Sequence, residues 1–417
     1  MNRFAKLFQF SGGIPVSQAS FGDAARAVLR KRRWFQKQIE ENAQNFFWGA
    51  NGQPSEAERF EQSRLAAAQF VGADPEGFVL TPNSATAWSS VFNSLENQLL
   101  RGKLSLGDKI LITNHAYGNC RAAIDLLVQE NGLELAIVDV PFPCKSGQVV
   151  VDAFAKTIEK AGPDVIKFAV FDHIPSFPSF IYPVKEIQQL LKSNDVISLI
   201  DGTHVPGQIP LNITDLQPDF YISGLSKWAY VPISVSSLYV APQHRSIIRP
   251  AISSEGCKSD NFVERFKWLG TADRSAELCL PMAIKYMAKL FQNGWEGLYE
   301  HNHDLAVWGA KHICEQLGIP MPCPEDMIGS LVSIPIGKLQ FEPEIEALPP
   351  HLRLRSKLLD AGLDVVSAVD KINGQHYLRL TGRVYNSVED YEKLAKALQS
   401  IVAQYRVAPP LGMQMGL

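Results

Sequence analysis

The chain has 417 residues, of which 46% are hydrophobic and 20% charged, so it is long enough for two globular domains. Its formal net charge of -3 provides no overall positive field, and binding to nucleic acid or an anionic membrane would need a local basic patch. The densest basic run, RAVLRKRR at residues 26–33, is predicted to be the solvated face of an early helix. We therefore expect neither nucleic acid nor a membrane as a partner.

The six cysteines are scattered, with no CxxC pair and no Cys/His cluster at zinc spacing. This distribution predicts reduced thiols and no metal site. The N-terminal sequence MNRFAKLFQFSGG lacks the long apolar core of a secretory signal, and no apolar run reaches the ~18 residues of a membrane span. We expect a cytoplasmic protein.

Between about residues 75 and 240, short apolar runs alternate with amphipathic stretches such as 119–130 and 184–192. Several runs lack polar alternation, which is typical of strands covered on both faces. This rhythm predicts an α/β domain with a mainly parallel sheet flanked by helices, and the short connection after Ser223 indicates one antiparallel pair. The predicted strands are 78–81, 109–113, 135–140, 166–171, 196–200, 220–223 and 236–240.

From about residue 280 the pattern changes to helices, three strand-like runs and a final amphipathic helix at 388–405, which predicts a smaller α+β domain. The predicted helices are 281–292 and 300–317, and the strands are 330–335, 363–368 and 376–381. We assign residues 1–280 to a large domain, with an N-terminal segment near the substrate site, and residues 281–417 to a small C-terminal domain. The tail after Val407 is expected to be loose.

Chemically active side chains follow four of the predicted strands, where ligands bind in open α/β sheets. Asp201 follows one strand, Lys227 lies in a short turn after another, and Tyr117 follows a third. Residues 82–87, PNSATA, are predicted to begin a helix, whose N-terminus suits a phosphate. Singly, these features indicate a surface lysine, a turn former, a helix cap and a rim aromatic. Together they supply what pyridoxal phosphate (PLP) requires.

The chemistry of PLP explains each part. A lysine amine forms a Schiff base with the PLP aldehyde and later acts as acid or base at the substrate Cα. A carboxylate beside the pyridine nitrogen keeps it protonated, so that the ring accepts electrons from Cα. Lys227 and Asp201 are the candidates for these two tasks.

The segments DGTHVPGQIPLNITDLQPDFYISGLSKW and LRLTGRVYNSVEDYEKL resemble class V aminotransferases of fold type I. The similarity is greatest to the branch that contains isopenicillin N epimerase, cysteine desulfhydrases and the sulfoxide lyases of ergothioneine biosynthesis. It covers about residues 18–405 and implies the PLP-dependent transferase fold and a homodimer with shared active sites.

The resemblance implies a role for each matching cofactor residue. Lys227 would be the Schiff-base lysine and Asp201 the partner of the pyridine nitrogen, while His204 and Ser176 would lie near the cofactor oxygen. Tyr117 would stack on the ring. The phosphate would be held by Ser84, Ala85 and Thr86 on one side and by Ser223 and Ser226 on the other.

The resemblance also implies a substrate site. Arg379 would bind the substrate carboxylate, His115 would lie close to Tyr117, and Thr271 would reach the phosphate of the neighbouring subunit. Arg274 and Arg383 are expected to be solvated. The chain departs from its relatives at Ala85 and Ser226, and residues 17–22, SQASFG, lack a histidine that relatives often carry.

Three reactions remain open at Cα and Cβ: C–S lysis, epimerisation and transamination. Lys227 can serve one face of Cα, and Tyr117 or His115 could serve the other face. In lysis, Tyr117 could instead protonate the departing sulfur. No cysteine lies between Gly337 and Arg379, which argues against persulfide transfer. By analogy with the branch we favour C–S lysis of a cysteine-type amino acid, with an epimerase as the alternative. A catalytically inactive PLP-binding protein is the non-enzyme alternative, although it would not require Arg379.

Overall fold

The computed structural model describes residues 2–10, 14–96, 107–369 and 374–407, so the tail expected to be loose lies outside the described residues. The chain forms two compact units. The large unit contains Leu7–Gln9 and Ala19–Glu300, and the small unit contains Met1–Lys6, Phe10–Gln18 and His301–Leu417. The domain boundary placed at residue 280 stays a prediction.

The large unit contains a seven-stranded sheet in the order β2-β8-β7-β6-β5-β3-β4. Strands β3 to β7 run parallel, and β8 runs antiparallel between β7 and β2. The predicted mainly parallel α/β sheet and its one antiparallel return are therefore confirmed. The strands of the chain are β1 Ile14–Pro15, β2 Phe78–Thr81, β3 Lys109–Thr113, β4 Glu134–Val138, β5 Ile166–Asp172, β6 Ile197–Gly202, β7 Phe220–Ser223, β8 Ser236–Val240, β9 Leu331–Gly337, β10 Leu363–Asp364, β11 Val366–Val369 and β12 His376–Thr381.

Helices cover this sheet because their apolar stripes and the unbroken apolar strands bury one another. All residues of β2, β7 and β8 are buried, and Val91 and Ile124 of two covering helices lie in the same core as Leu199. None of the described helices is both long and apolar enough to span a membrane. The described helices are α1 Arg26–Glu41, α2 Ala43–Trp48, α3 Glu56–Phe70, α4 Ser84–Ser94, α5 Gly118–Asn131, α6 Gly147–Ala161, α7 Val184–Lys192, α8 Ile213–Leu216, α9 Leu225–Trp228, α10 Phe262–Lys267, α11 Leu280–Ala288, α12 Trp295–Leu317, α13 Pro343–Glu346, α14 Pro350–Asp360 and α15 Val388–Tyr405.

The small unit contains the three-stranded antiparallel sheet β11-β12-β9 and a parallel pair of β1 with β10. The pair β1–β10 joins an N-terminal segment to the C-terminal part of the chain.

The expectation that Arg274 and Arg383 are solvated is wrong. Arg383 is fully buried and donates a hydrogen bond to the backbone carbonyl of Gln18. Arg274 is 8% exposed, lies 3.6 Å from the Glu56 carboxylate and stacks over an aromatic ring. A guanidinium group tolerates burial when acceptors or aromatic faces surround it, which a charge count along the sequence does not show.

Candidate active site

A cavity of about 300 Å³ opens beside the carboxyl ends of β5 and β6 and the start of α4. Seven residues singled out from the sequence line it: Ser84, Ala85, Tyr117, Ser176, Asp201, His204 and Lys227. The cavity is also lined by six residues that were not predicted from the sequence to have a role: Ser20, Asn83, Trp88, Asn119, Asp172 and Thr203. The lysine and the carboxylate expected to act together therefore face the same space.

Lys227 lies in the single-turn helix α9, which directly follows β7. Its amine nitrogen is 3.1 Å from Nε2 of His204. On the other side of the same imidazole, the indole Nε1 of Trp228 donates a hydrogen bond to Nδ1 at 3.3 Å. Trp228 is fully buried and His204 is 3% exposed, so the contact between the indole and the imidazole is shielded from water.

The N-terminal segment packs against the backbone of the lysine turn at Gly22. This glycine has a φ of +73°, and a Cβ added to it would lie 2.6 Å from the carbonyl oxygen of Lys227 and 2.8 Å from its Cα. It would approach the carbonyl oxygen of Ser226 still more closely. Only glycine combines this backbone conformation with so close an approach.

Asp201 is a buried carboxylate at the end of β6, 5% exposed. Burial raises its pKa, while hydrogen bonds from Thr203, including its backbone N–H at 2.9 Å, and the nearby Lys227 lower it. The indole N–H of Trp88 also lowers the pKa of Asp201, although this buried group lies outside hydrogen-bond geometry. The donors around Asp201 therefore offset part of the free-energy cost of burying its negative charge.

Asp172 is a second buried carboxyl group in the cavity, and it was not predicted from the sequence. It ends β5 and pairs in register with Asp201 on the adjacent parallel strand. Burial and the negative charge of Asp201 raise the pKa of Asp172 well above its ordinary value. A neutral carboxyl group is therefore favoured at this position. The rule that identified Asp201, an acidic residue at the end of an apolar run, would also have identified Asp172.

The start of α4 supplies polar hydrogens to the cavity. Asn83 caps this helix by accepting hydrogen bonds from the backbone N–H of Thr86 at 2.9 Å and from its hydroxyl at 3.1 Å. The Ser84 hydroxyl forms hydrogen bonds with the hydroxyls of Thr203 at 2.9 Å and Ser236 at 3.3 Å, which connect α4 to the residue after β6 and to β8. Because a helix N-terminus carries partial positive charge, this corner favours an anion.

Aromatic side chains form the outer wall of the cavity. Tyr117 is 43% exposed, and its ring lies 6.0 Å from that of Trp88. His115, expected close to Tyr117, is not among the lining residues, and its Nδ1 lies 2.7 Å from the hydroxyl of Tyr182. Burial lowers the pKa of His115 to about 4, so its imidazole is neutral at pH 7.

Five other candidates are not among the residues that line the cavity. Thr86, Ser223, Ser226 and Thr271 are in the large unit but do not line the cavity, and Thr271 is exposed. Arg379 lies on β12 of the small unit and is 6% exposed. The roles assigned to these residues stay predictions.

The family model for aminotransferase class V matches residues 25–393. The chain belongs to the aminotransferase class V family. A putative L-cysteine desulfhydrase 1 of Oryza sativa subsp. japonica is 29% identical over 412 residues, covering 94% of this chain and 84% of the relative. Hercynylcysteine sulfoxide lyase of Schizosaccharomyces pombe is 27% identical, covering 81% and 83%. The solved structure of a cysteine desulfurase from Thermococcus onnurineus has a TM-score of 0.77 and 19% identity, covering 94% and 95%.

As a class V aminotransferase family member, the chain is a PLP-dependent enzyme of fold type I, and the resemblance and fold class inferred from the sequence are confirmed. The residues of the cavity fit this cofactor. Asp201 offers a buried carboxylate to a protonated ring nitrogen, Lys227 offers an amine, and the start of α4 offers N–H groups to a phosphate. The buried indole N–H of Trp88, which has no hydrogen-bond partner in the described part of the chain, is a further donor at this site.

Proposed function

We propose that this enzyme is a C–S lyase that acts on cysteine or a cysteine conjugate. The observation that carries the proposal is that Lys227 and Asp201 line one cavity. Lys227 is the candidate for proton transfer at the substrate Cα, and Asp201 is the candidate partner of the pyridine nitrogen. The names of the similar relatives, an L-cysteine desulfhydrase and a hercynylcysteine sulfoxide lyase, support cleavage of a carbon–sulfur bond.

In this proposal several groups of residues would hold the cofactor. Lys227 would bind it covalently, Asp201 would pair with its ring nitrogen, and Tyr117 would cover its ring. Ser176 and His204 would contact its oxygen, and two groups of residues would hold its phosphate. These are Ser84, Ala85 and Thr86 on one side and Ser223 and Ser226 on the other. When bound, PLP supplies an electron sink that acidifies the Cα–H bond of an amino acid.

The residues of the chain perform the proton transfers. Lys227 takes the proton from the substrate Cα and Arg379 holds the substrate carboxylate through a two-pronged ion pair. Tyr117, exposed at the rim of the cavity, donates a proton to the departing sulfur. Its partial exposure leaves room for the sulfur substituent to point outward.

A homodimer in the cytoplasm completes the proposal. Thr271 is exposed on the large unit, which suits contact with the phosphate of a partner subunit. All six cysteines are free thiols, as is typical of proteins in reducing compartments. Sedimentation of the holoenzyme tests the dimer, and fractionation of cells that express a tagged chain tests the compartment.

Product analysis tests the reaction. The enzyme should convert L-cysteine or an S-substituted cysteine, together with one water, to pyruvate, ammonia and a thiol or other sulfur product. Lys227→Ala should lose both this activity and the visible absorption of lysine-bound PLP, whereas Lys192→Ala, which removes a surface lysine, should keep both.

Other outcomes would contradict C–S lysis. Deuterium entering Cα from heavy water, with racemisation and no pyruvate, would indicate an epimerase. Accumulation of the amine form of the cofactor would indicate transamination. A protein that binds PLP but turns over no amino acid would be the inactive binding protein.

A further inference from the structure

The side chains of Trp228, His204 and Lys227 form a linear hydrogen-bonded chain beside the cavity. The indole nitrogen of Trp228 lies 3.3 Å from Nδ1 of His204, and Nε2 of His204 lies 3.1 Å from the amine of Lys227. His204 and Lys227 belong to the proposed cofactor site, but Trp228 has no role in it.

The indole of Trp228 determines which group donates in each of these two hydrogen bonds. An indole N–H only donates, so Nδ1 of His204 must accept and cannot carry a proton. The one ring proton of a neutral imidazole is then on Nε2, and a doubly protonated imidazolium would place an N–H against the indole N–H. Trp228 therefore selects one of the three protonation states of His204.

The selected state constrains Lys227. With its proton on Nε2, His204 can only donate to the lysine nitrogen, and a lysine nitrogen accepts a hydrogen bond only as the neutral amine. An ammonium group would set N–H against N–H at 3.1 Å. The carboxyl groups of Asp201 on β6 and Asp172 on β5 interact with Lys227 in the opposite sense, because negative charge favours the ammonium form.

We propose that Trp228 is a positioning residue that holds His204 as a hydrogen-bond donor and thereby keeps Lys227 in its amine form. The amine is the nucleophile: its nitrogen forms the C=N bond with the aldehyde carbon of PLP, and water leaves. The proposal rests on the proposed role of Lys227 but not on which reaction follows.

Cofactor loading tests the proposal. Full-length protein is stripped of PLP, and the rate of appearance of lysine-bound PLP absorption is measured across a range of pH. Trp228→Phe should slow loading about five- to tenfold at neutral pH, the range of one hydrogen bond, and the rates should converge at high pH where lysine is an amine in both proteins. Trp295→Phe is the matched control, because it removes an indole that donates to the backbone carbonyl of Ile284 at 3.1 Å in the same unit. It should load at the wild-type rate.

A second variant distinguishes a proton effect from loss of packing. His204→Gln places an amide N–H₂ near Lys227, and this donor needs no tautomer to be selected. In the His204→Gln background, adding Trp228→Phe should change the loading rate by less than twofold. Equal slowing by Trp228→Phe at every pH, or the same slowing with Gln at position 204, would overturn the proposal.

Nitrogen NMR of PLP-free wild-type protein labelled with ¹⁵N-histidine tests the protonation state of His204 directly and does not depend on the stability of a Trp228 variant. The His204 signals, assigned by their loss in His204→Gln, should show a protonated Nε2 and an unprotonated Nδ1. A protonated Nδ1 would refute the inference. The Lys227→Ala variant tests the proposed function separately. If that variant still showed the visible absorption of lysine-bound PLP, the proposed role of Lys227 would be contradicted, whatever the protonation state of His204.

Discussion

Replacement of Gly22 by alanine tests whether the N-terminal segment fixes the catalytic lysine. The added methyl group would meet backbone atoms of Ser226 and Lys227, the nearest Lys227 atom at 2.6 Å, and backbone cannot rotate away as a side chain can. The φ of +73° adds a conformational cost of about 1 kcal/mol for a residue with a Cβ. Displacing the packed backbone adds roughly 1–3 kcal/mol more.

Gly52 provides the matched control. Its φ is +75°, nearly that of Gly22, but a Cβ added there would meet nothing within 4 Å. Gly52→Ala should therefore cost about 1 kcal/mol of unfolding free energy, and Gly22→Ala about 2–4 kcal/mol. The difference between the two variants isolates the contact with the lysine turn.

Urea unfolding of both variants, with the PLP content of each from its visible absorption, provides the measurement. We expect Gly22→Ala to lose cofactor as well as stability, since the collision moves the backbone that carries Lys227. Gly52→Ala should remain fully loaded. The reasoning would be refuted by a Gly22→Ala protein as stable and as fully loaded as Gly52→Ala.

Three further predictions concern side chains in and near the cavity. Asp201→Asn should reduce turnover ~100-fold or more. Asp172→Asn should retain most activity, because burial and the charge of Asp201 raise the pKa of Asp172 and favour its neutral form. Equal losses of activity in steady-state assays would contradict this difference. Between pH 7 and pH 5 the wild-type protein should lose about 2 kcal/mol more unfolding free energy than His115→Gln. Burial lowers the pKa of His115 in the folded state to about 4, so the unfolded chain binds the proton first as pH falls. Urea unfolding at the two pH values measures the difference, and the same pH dependence in both proteins would contradict the prediction. Tyr117→Phe should retain lysine-bound PLP absorption but cleave the C–S bond ~100-fold more slowly, because the departing sulfur is no longer protonated. Unchanged turnover would show that Tyr117 has no part in the mechanism.

The sequence predicted the sheet well because buried parallel strands are short, apolar and evenly spaced. The bounds of β2, β3, β7, β8 and β12 agree with the predicted runs to the residue. The antiparallel return of β8 was also foreseen, because the connection before β8 has only the minimum length of a crossover between parallel neighbours and contains just the single-turn helix α9.

Contacts between distant parts of the chain were not predicted. The pairing of Ile14–Pro15 with Leu363–Asp364 places an N-terminal segment in the small unit, and two-residue strands leave no periodicity to detect. Trp88 was also missed, because a tryptophan inside an amphipathic helix usually indicates core packing. Its position four residues after Ser84 places it on the same face of α4 and could have identified it.

Lys227 lies in the connection between two strands that are neighbours both in the sequence and in the sheet. The strands that flank it, β7 and β8, are antiparallel neighbours paired at Ser223 and Ser237, and the connection between them is closed further by the hydrogen bond from Ser226 N–H to the Val235 carbonyl at 3.1 Å. We expect a contact so local in sequence to cost little loop-closure entropy and to form early, and the carboxylates and the start of α4 to reach the cavity only after several parallel strands have paired. The lysine turn would then be a local hairpin to which the rest of the cofactor site is added.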